Sequence, residues 1–340
     1  MAEDFTWRDG ERLIRFGEGA AAETVELLGQ QGFEPFTLLT TERAAGSVPG
    51  LAQRATGVAH VPPGKVDEVS AELLSRHADD RLGSDPLVAL GGGRVVDTAK
   101  AIAGVTGARV AAIPTTLSGA ELTPFHRLPA GVEGARMVRP ALVVADPELM
   151  ASAPLTRLAA SAMNALAHAM EALYTPRANP VTTLAALRAA ELIADGVTHD
   201  PPGRERLALG ALLAGYASGA TGIAVHHALS QTIVRTAGSP HAETNAVMLP
   251  HSARLMAGRA PAALSDLARA LGDGSADPEA APGDLARLAA RSGHTRLSTL
   301  GVEEHHLADA ADAAASHPLL GNTPDPPGRD ELLEVLRAAL

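Results

Sequence analysis

Histidine and amide side chains recur at helical spacing in the second half of the chain. Asn164 and His168 lie four residues apart in a run rich in Ala, Leu and Met, and His227 and Gln231 repeat this spacing. Residues at i and i+4 project from one face of a helix. His241 follows in a segment that we expect to form a turn. Unpaired polar groups are costly to bury on apolar helices, so we expect these side chains to face one shared pocket.

Imidazoles that share a pocket can polarise a carbonyl group, hold a carboxylate, supply a proton or bind a metal ion. A structural interpretation is also open, because a single histidine on an apolar helix is usually a hydrogen-bonded core residue. Several histidines at pocket-like spacing favour the functional interpretation. His226 is turned about 100° around the helix from His227, so we expect it to lie off the pocket face and the His226→Ala change to be mild.

The first half of the chain supplies the strands that would position a second site. Apolar runs alternate with helical patterns there, and the runs are 36–40, 58–61, 86–90, 110–113 and 141–145. Such alternation implies crossover connections and a mostly parallel sheet. After Asp146 the strand-like runs end and helical patterns dominate. The sequence therefore predicts two domains, residues 1–152 and 153–340.

Two loops follow neighbouring strands in the predicted sheet. Gly91, Gly92 and Gly93 form a turn between an apolar strand and a helix, and Thr115 and Thr116 follow the next strand. Glycines let backbone N–H groups approach an anion, and a helix N-terminus favours negative charge. Glycine-rich turns also occur without a ligand, but ligands of open parallel sheets lie beyond the carboxyl ends of the strands. Together the two loops favour a nucleotide site with a bound diphosphate.

Composition limits the other classes of function. A length of 340 residues is typical of about two domains, and a net charge of −11 argues against a nucleic-acid partner. We find no basic amphipathic helix, no apolar run long enough to span a bilayer and no secretory leader, so we expect no membrane contact. Cysteine is absent, which excludes disulfide and thiolate chemistry. We expect a cytoplasmic protein.

Five segments together resemble the iron-containing alcohol dehydrogenase superfamily, particularly its maleylacetate reductase branch. The glycine turn and its helix are similar to the family's Gly-Gly-Gly-Ser-x-x-Asp-x-Ala-Lys box. The following loop is similar to its Pro-Thr-Thr loop, in the shorter form of the maleylacetate branch. The segments that carry the resemblance are Phe16–Ala20, Gly91–Lys100, Pro114–Thr123, Asn164–Glu171 and Pro240–Thr244.

This resemblance implies a Rossmann-like N-terminal domain with a parallel sheet and an all-helical C-terminal domain, the dehydroquinate synthase-like or iron-containing alcohol dehydrogenase fold. It implies NAD(P)H as the cofactor, with the substrate meeting the nicotinamide over the polar pocket of the helical domain. Thr41 stands where many relatives place an acid at the adenine ribose, so NADPH as well as NADH is open. The cofactor residues that we expect are Gly91, Gly92, Gly93, Arg94, Asp97, Thr115, Thr116 and Thr41.

Three positions depart from the pattern of metal-dependent relatives. Those relatives use an Asp and three His as ligands; here Asn164 stands at the Asp position, while His168, His227 and His241 match the histidines. A neutral amide is a poor ligand for a divalent ion, and Asn is familiar at this place in the maleylacetate branch. We therefore expect no metal, although the three histidines alone could still hold zinc or iron.

The other two departures concern the proton path and the diphosphate. A further family histidine is Gln231 here, which removes an ionisable group from the proton path that the resemblance implies. Arg94 replaces the Ser of the glycine box, where it could pair with a phosphate or obstruct it.

Our leading hypothesis is an NAD(P)H-dependent, metal-independent reductase of a small acidic carbonyl or enone substrate. Its catalytic residues would be Asn164 and the three histidines, and Glu121, Thr123 and Gln231 would bind the substrate. The alternative is a repurposed non-redox enzyme, such as a lyase, isomerase or cyclase, on the same scaffold. A pure binding module is a third possibility. By resemblance alone, we expect a homodimer.

The metal hypothesis is directly testable. We expect the purified protein to contain less than stoichiometric zinc and iron, and chelators to leave its activity intact, because Asn164 supplies no charge to a divalent ion. The Asn164→Asp variant should bind metal more tightly, since it completes the ligand set. Elemental analysis of both proteins measures this. A tightly held ion in the wild type that is lost in His168→Ala would contradict the prediction.

Overall fold

The computed structural model describes residues 3–76, 82, 85–272, 274 and 276–340. The chain divides into two compact units, Met1–Ser152 and Ala153–Leu340. The first unit contains the sheet, and the described residues of the second unit form helices and their connections without any strand. The predicted combination of an α/β half and an all-helical half is therefore confirmed.

The described strands of the first unit form one seven-stranded sheet in the order β1-β2-β7-β6-β5-β3-β4. Its neighbouring strands are parallel, except that β1 pairs antiparallel with β2. The five strands predicted from apolar runs are β3 to β7, each with its ends within one residue of the prediction. The strands are β1 (Phe5–Asp9), β2 (Arg12–Phe16), β3 (Thr37–Thr40), β4 (Gly57–His60), β5 (Leu87–Gly91), β6 (Val110–Pro114) and β7 (Leu142–Ala145).

The β1–β2 hairpin is not evident from the apolar pattern, because Arg12 and Arg15 interrupt the second strand. All five residues of β2 are nevertheless buried, since this strand lies between β1 and β7. The Arg15 guanidinium binds Asp4 and Glu23, while Arg12 binds Asp9. Paired and hydrogen-bonded arginines are therefore accommodated in a central strand.

Helices cover both faces of the sheet. Leu39 and Ala89 pack with the residues of one hydrophobic cluster, and their neighbours Leu38 and Val88 pack with those of the other. This alternation explains why the strands appear as continuous apolar runs in the sequence. The helices of this unit are α1 (Thr24–Gln30), α2 (Leu51–Arg54), α3 (Val66–Arg76), α4 (Gly93–Thr106) and α5 (Pro147–Met150).

The second unit is a packed set of α-helices. They are α6 (Leu155–Ala172), α7 (Pro180–Thr198), α8 (Arg204–Thr221), α9 (Val225–Ala237), α10 (His241–Ala257), α11 (Pro261–Leu271), α12 (Ala280–Ala289), α13 (Glu304–Ala315) and α14 (Arg329–Ala339). Among the described residues no single helix is long and apolar enough to cross a membrane. The pair α8 and α9 meets that test only together and is bent by 101°.

Gly222 causes the break between α8 and α9. Its φ of +88° lies in the left-handed region, and an added Cβ would lie 2.6 Å from Nη2 of Arg177. The helix that carries His227 and Gln231 therefore begins only at Val225, three residues after this glycine. His226 and His227 therefore lie in the first turn of α9.

Lys100 on α4 anchors the loop that follows β6. Its side chain is completely buried, and Nζ donates to the carbonyl oxygens of Ala120 at 2.8 Å, Thr123 at 3.1 Å and Phe125 at 2.7 Å. Nζ also lies 2.8 Å from Oδ1 of Asp97. A lysine with this many oxygen partners can remain charged inside a protein, and it fixes the loop against α4.

We expect Lys100→Met to destabilise the first unit by about 3 kcal/mol, because three loop carbonyls and a carboxylate lose their donor. Trp7 is the only tryptophan of the chain and lies in β1, so its fluorescence during urea denaturation reports on this unit. Lys65→Met is the matched control, because the Lys65–Glu68 pair is exposed and should leave the midpoint almost unchanged. Equal midpoints for the two variants would refute the anchoring role of Lys100.

Candidate active site

Two imidazoles are in contact within the helical unit, and a third lies near them. The rings of His168 on α6 and His227 on α9 are stacked, with centroids 4.6 Å apart and planes 5° from parallel. His241 on α10 lies near enough that its positive charge would lower the pKa of both rings. We refer to His168, His227 and His241 as the histidine cluster.

Glu171 determines the orientation of His227. Its Oε2 accepts a hydrogen bond from Nδ1 of His227 at 2.5 Å, and its Oε1 accepts one from the backbone N–H of His227 at 3.3 Å. Glu171 belongs to α6 and is completely buried at the N-terminus of α9, where Ala224 provides no side-chain cap. Helix N-termini favour negative charge. The carboxylate of Glu171 therefore both caps α9 and holds the imidazole of His227.

The protonation of this pair follows from burial and from its donors. Burial raises the pKa of Glu171, while backbone N–H groups of Ala224 and His227 oppose that rise. Burial also lowers the pKa of His227 to about 3, so the ring is neutral. Since the backbone donors favour the carboxylate, the shared proton belongs to Nδ1 of His227. Its Nε2 then carries a lone pair, and that atom is buried without a hydrogen-bond partner among the described residues.

His168 is neutral for the same reason. Burial lowers its pKa to about 3, and a nearby charge on His227 would lower it further. Its Nδ1 is also buried without a hydrogen-bond partner in the described part of the chain. Unpartnered buried nitrogens are uncommon in folded proteins and typical of sites that bind a ligand or water.

The helical position of His226 suggested that it lies off the pocket face, but the structure places it against the histidine cluster. It is completely buried, and its ring lies edge-on to that of His227, with centroids 5.0 Å apart and planes at 84°. Its Nδ1 lies 3.1 Å from Oγ of Ser252, and its Nε2 lies 3.0 Å from Oδ1 of Asn245. The first turn of α9 is therefore buried on this side as well, and the mild effect expected of His226→Ala remains a prediction.

His241 does not lie on a turn. It is the first residue of α10, directly after Pro240, and its side chain is exposed. Asn245 donates from Nδ2 to the His241 carbonyl oxygen at 2.8 Å, and the same Nδ2 lies 3.2 Å from Nε2 of His241. Pro240 ends the preceding segment, because a proline is well accommodated before the first helical turn.

The two predicted amides lie beside the cluster. Asn164 is one turn before His168 on α6 and is almost completely buried, whereas Gln231 is one turn after His227 and is partly exposed. Their catalytic and substrate-binding roles remain predictions.

Glu171 and Asn245 are polar residues of the site that the spacing argument did not single out. Glu171 lies three residues after His168, and Asn245 lies four residues after His241. Both spacings place a polar side chain on the helix face of a predicted histidine. An acid inside an Ala/Leu/Met helix is also a signal of a buried partner, because such a charge is costly to bury alone.

The site fits a divalent metal poorly. Among the described residues, no group of three His, Asp or Glu side chains is arranged to hold an ion. The lone pair of Nε2 in His241 faces an amide N–H of Asn245. Binding a metal through that nitrogen would break a hydrogen bond, and Asn164 supplies no charge in return.

The first unit provides the glycine turn. β5 ends at Gly91, and Gly92 is the N-cap of α4 without a side-chain cap. A Cβ at Gly92 would lie 3.0 Å from Cγ2 of Thr116, and one at Gly93 would lie 2.9 Å from Oγ of Ser118. These glycines therefore let the next loop pack closely against the helix N-terminus. Oγ1 of Thr116 is buried there without a hydrogen-bond partner among the described residues.

Other predicted cofactor residues lie at the same edge of the sheet. Gly91 pairs with Pro114 in the strand register, and the Thr115 N–H donates to the Gly91 carbonyl at 3.0 Å. Thr41 directly follows Thr40, which pairs with Leu90. The carboxyl ends of these parallel strands therefore bring the predicted residues into one region.

The remaining side chains of this region differ in exposure. Arg94 is exposed in the first turn of α4, whereas Asp97 is partly buried and paired with Lys100. Thr41 accepts the N–H of Ala44 through its Oγ1 at 3.2 Å. Arg94 is thus placed to meet an anion, while Asp97 and Thr41 have structural partners. The contacts of Arg94, Asp97 and Thr41 with a cofactor remain predictions.

Glu121 and Thr123 belong to the loop that Lys100 anchors. Glu121 is completely buried, neither carboxyl oxygen has a hydrogen-bond partner among the described residues, and burial raises its pKa to about 7. Thr123 is almost completely buried, and its carbonyl oxygen accepts from Lys100. Substrate contact by either residue remains a prediction, since both are enclosed in this structure.

Comparison with protein families covers nearly the whole chain. The model described as "Fe-containing alcohol dehydrogenase family, C-terminal" matches residues 158–340. The model described as "Iron-containing alcohol dehydrogenase" matches residues 15–154. The two matches meet close to the boundary between the two structural units.

Individual relatives agree with this result. The chain is 35% identical to a maleylacetate reductase of Burkholderia cepacia over 96% of its own length and 95% of that protein. A crystal structure of maleylacetate reductase from Agrobacterium tumefaciens superposes with a TM-score of 0.84, at 31% identity, over 100% of this chain and 99% of that one. Sulfoacetaldehyde reductase from Bifidobacterium kashiwanohense, solved in complex with NAD+, shares the fold at 23% identity, with a TM-score of 0.81 and 99% of each chain covered. The chain is therefore an oxidoreductase that belongs to the iron-containing alcohol dehydrogenase superfamily, near its maleylacetate reductase branch.

Proposed function

We propose that this protein is an NAD(P)H-dependent reductase of a small acidic enone or carbonyl compound and that it works without a metal ion. Maleylacetate, a dicarboxylate with a conjugated enone, is the first substrate to test, because relatives that share at least 30% of the sequence carry its name. The observation that best supports the chemistry is the buried Glu171–His227 pair with its unpartnered Nε2.

The first unit would hold the cofactor. Enzymes of this family use NAD(P), and a bound NAD(P)H supplies a hydride to an electrophilic carbon. The backbone at Gly92 and Gly93 begins a long helix without a side-chain cap, so it can bind a diphosphate. The unpartnered hydroxyl of Thr116 can donate to a phosphate oxygen. The exposed guanidinium of Arg94 can pair with the same group.

The histidine cluster would handle the charge and the proton of the reduction. Neutral imidazoles can hydrogen-bond a carbonyl oxygen on which negative charge develops. His227 can take up a proton from solvent at Nε2, because Glu171 stabilises the resulting imidazolium through Nδ1, and it can pass that proton to the substrate atom that becomes negative when hydride is added. The stacked ring of His168 shields this side of His227 from water. Hydrogen-bond donors, acceptors and a proton site are therefore present without a metal ion.

The homologues favour this reductase over the non-redox alternative, because the relatives that cover nearly the whole chain are reductases by name. A cytoplasmic location and a homodimer remain part of the proposal. The choice between NADH and NADPH also remains open, since Thr41 offers no carboxylate to repel a 2′-phosphate.

The proposal predicts that the purified protein oxidises NADH or NADPH when maleylacetate is added, with a loss of absorbance at the nicotinamide band. Glu171→Gln should lower kcat by about a hundredfold or more, because Nδ1 of His227 loses its charged partner. Glu191→Gln is the matched control: Glu191 lies in the same unit but pairs with Arg188 on the surface. Equal activity in both variants would exclude the Glu171–His227 pair from the chemistry, and no cofactor oxidation with any enone diacid or keto acid would reject the reductase itself.

Cofactor binding is tested separately at Thr116. We expect Thr116→Val to weaken NAD(P)H binding about tenfold, as for the loss of one hydrogen bond to a charged group, while thermal stability is kept or rises because an unpaired buried hydroxyl is removed. Titration calorimetry measures the affinity. Thr98→Val removes another buried, unpartnered hydroxyl on α4 and should leave the affinity unchanged. The proposed diphosphate site is wrong if Thr116→Val binds as tightly as the wild type.

A further inference from the structure

The bend between α8 and α9 leaves backbone carbonyl groups outside both helices. α8 ends at Thr221, and in α9 the Ala228 N–H donates to the Ala224 carbonyl oxygen at 3.0 Å. We refer to residues 221–224, all of which are buried, as the α8–α9 link. The carbonyl groups of residues 221–223 need partners from elsewhere, because unpaired backbone groups are costly to bury.

Two side chains from the segment after α6 bind the end of α8. Nε of Arg177 donates to the Thr221 carbonyl oxygen at 3.1 Å, and Oγ1 of Thr175 donates to the same oxygen at 3.2 Å. A cation beside the last carbonyl of a helix is favourable, because the C-terminus of a helix carries partial negative charge. Arg177 therefore supplies α8 with both a donor and a complementary charge.

The other two carbonyl groups of the link are also bound by side chains. Nδ2 of Asn322 donates to the Ile223 carbonyl oxygen at 2.9 Å, and Oγ1 of Thr221 lies 3.2 Å from the Gly222 carbonyl oxygen. Asn322 ends the short helical segment Pro318–Asn322, which is distant from the link in the sequence. Donors from two separate parts of the chain therefore hold the link.

The opposite charge at this bend comes from α6 itself. The Glu171 carboxylate accepts from the backbone N–H groups of Ala224 and His227 at the start of α9. The end of α6 and the segment after it thus place an anion at the N-terminus of α9 and the Arg177 cation at the C-terminus of α8. Both charges complement the helix dipoles, and they do so where the two helices meet at 101°.

Gly222 allows both donors to approach the link closely. A Cβ at this position would lie 2.6 Å from Nη2 of Arg177 and 3.1 Å from Nδ2 of Asn322. The two side chains therefore pack directly against the glycine and bind the carbonyl groups on either side of it. The backbone of the link cannot shift without breaking at least one of these hydrogen bonds.

His227 is the functional side chain that depends on this arrangement. Its backbone N–H and its Nδ1 both bind Glu171, so the ring is oriented only when α9 begins where the structure shows. A loosened link would let the first turn of α9 fray, and a catalytic group that is displaced by about 1 Å can lose most of its effect. The donors to the link therefore act on the ring through the backbone.

We propose that Arg177 is a positioning residue that, together with Asn322, fixes the α8–α9 link and thereby holds His227 in place for catalysis. Arg177 acts through the backbone in this role and does not touch the substrate. The effect on catalysis rests on the proposed function, whereas the fixing of the link does not.

Hydrogen exchange followed by mass spectrometry tests the fixing of the link without any substrate. In Arg177→Met the amide groups of residues 222–231 should exchange about tenfold faster than in the wild type, as for the loss of one hydrogen bond from a charged group, while the other helices of the unit keep their protection. Asn322→Ala should accelerate exchange in the same segment, because it removes the donor on the other side of Gly222.

Arg188→Met is the matched control for this experiment. Arg188 lies in the same unit but pairs with Glu191 on the surface, so its loss should leave the exchange of residues 222–231 unchanged. Unchanged exchange of that segment in Arg177→Met would overturn the proposal. Faster exchange spread evenly over the whole helical unit would also overturn it, because Arg177 would then contribute only to general stability.

Kinetics test the consequence for catalysis. In a protein that reduces maleylacetate, Arg177→Met should lower kcat about tenfold, as for a misplaced catalytic group, with the KM for maleylacetate nearly unchanged. An unchanged kcat would reject the positioning role, and a raised KM with unchanged kcat would assign the guanidinium to a substrate carboxylate instead. If the wild type reduces no substrate at all, the proposed function fails, and the exchange data still decide whether Arg177 fixes the link.

Discussion

The hydrogen bond between Glu171 and His227 is the interaction on which the rest of the helical unit depends. It joins α6 to the N-terminus of α9, and it places a carboxylate where α9 has no cap of its own. One contact therefore serves both stability and chemistry, because the Glu171 carboxylate that caps the N-terminus of α9 also orients the imidazole of His227. His168 stacks on a ring whose position is already fixed.

Sequence reasoning gave the fold class because its signals are local. Each strand from β3 to β7 is an apolar run, since both faces of the sheet are covered, and the helical half has no such runs. The hairpin of β1 and β2 could not be found in this way, because Arg12 and Arg15 interrupt the second strand, and Arg12 is buried through a partner that is distant in the sequence, the Leu122 carbonyl.

The contacts of the candidate site were also only partly predictable from the sequence. Helical spacing identified His168 and His227, but it could not show that His226 is also buried, because Ser252 and Asn245 reach it from another helix. Nor could spacing show that His241 begins α10. Which side chain faces which partner depends on how helices cross, and that information is not present in the periodicity of any one helix.

The break at Gly222 determines where α9 begins and therefore how its side chains are directed. α9 begins three residues after that glycine, and both His226 and His227 lie in its first turn. If the start of α9 moved by one residue while the helix kept its packed position, each side chain would turn by about 100° around the helix axis, and neighbouring positions would exchange directions. The direction of the two rings thus depends on the register in which α9 begins, and the link that precedes it carries no reactive group. Homologues that differ in the length of this link cannot be assumed to use the same histidine, even where both histidines align.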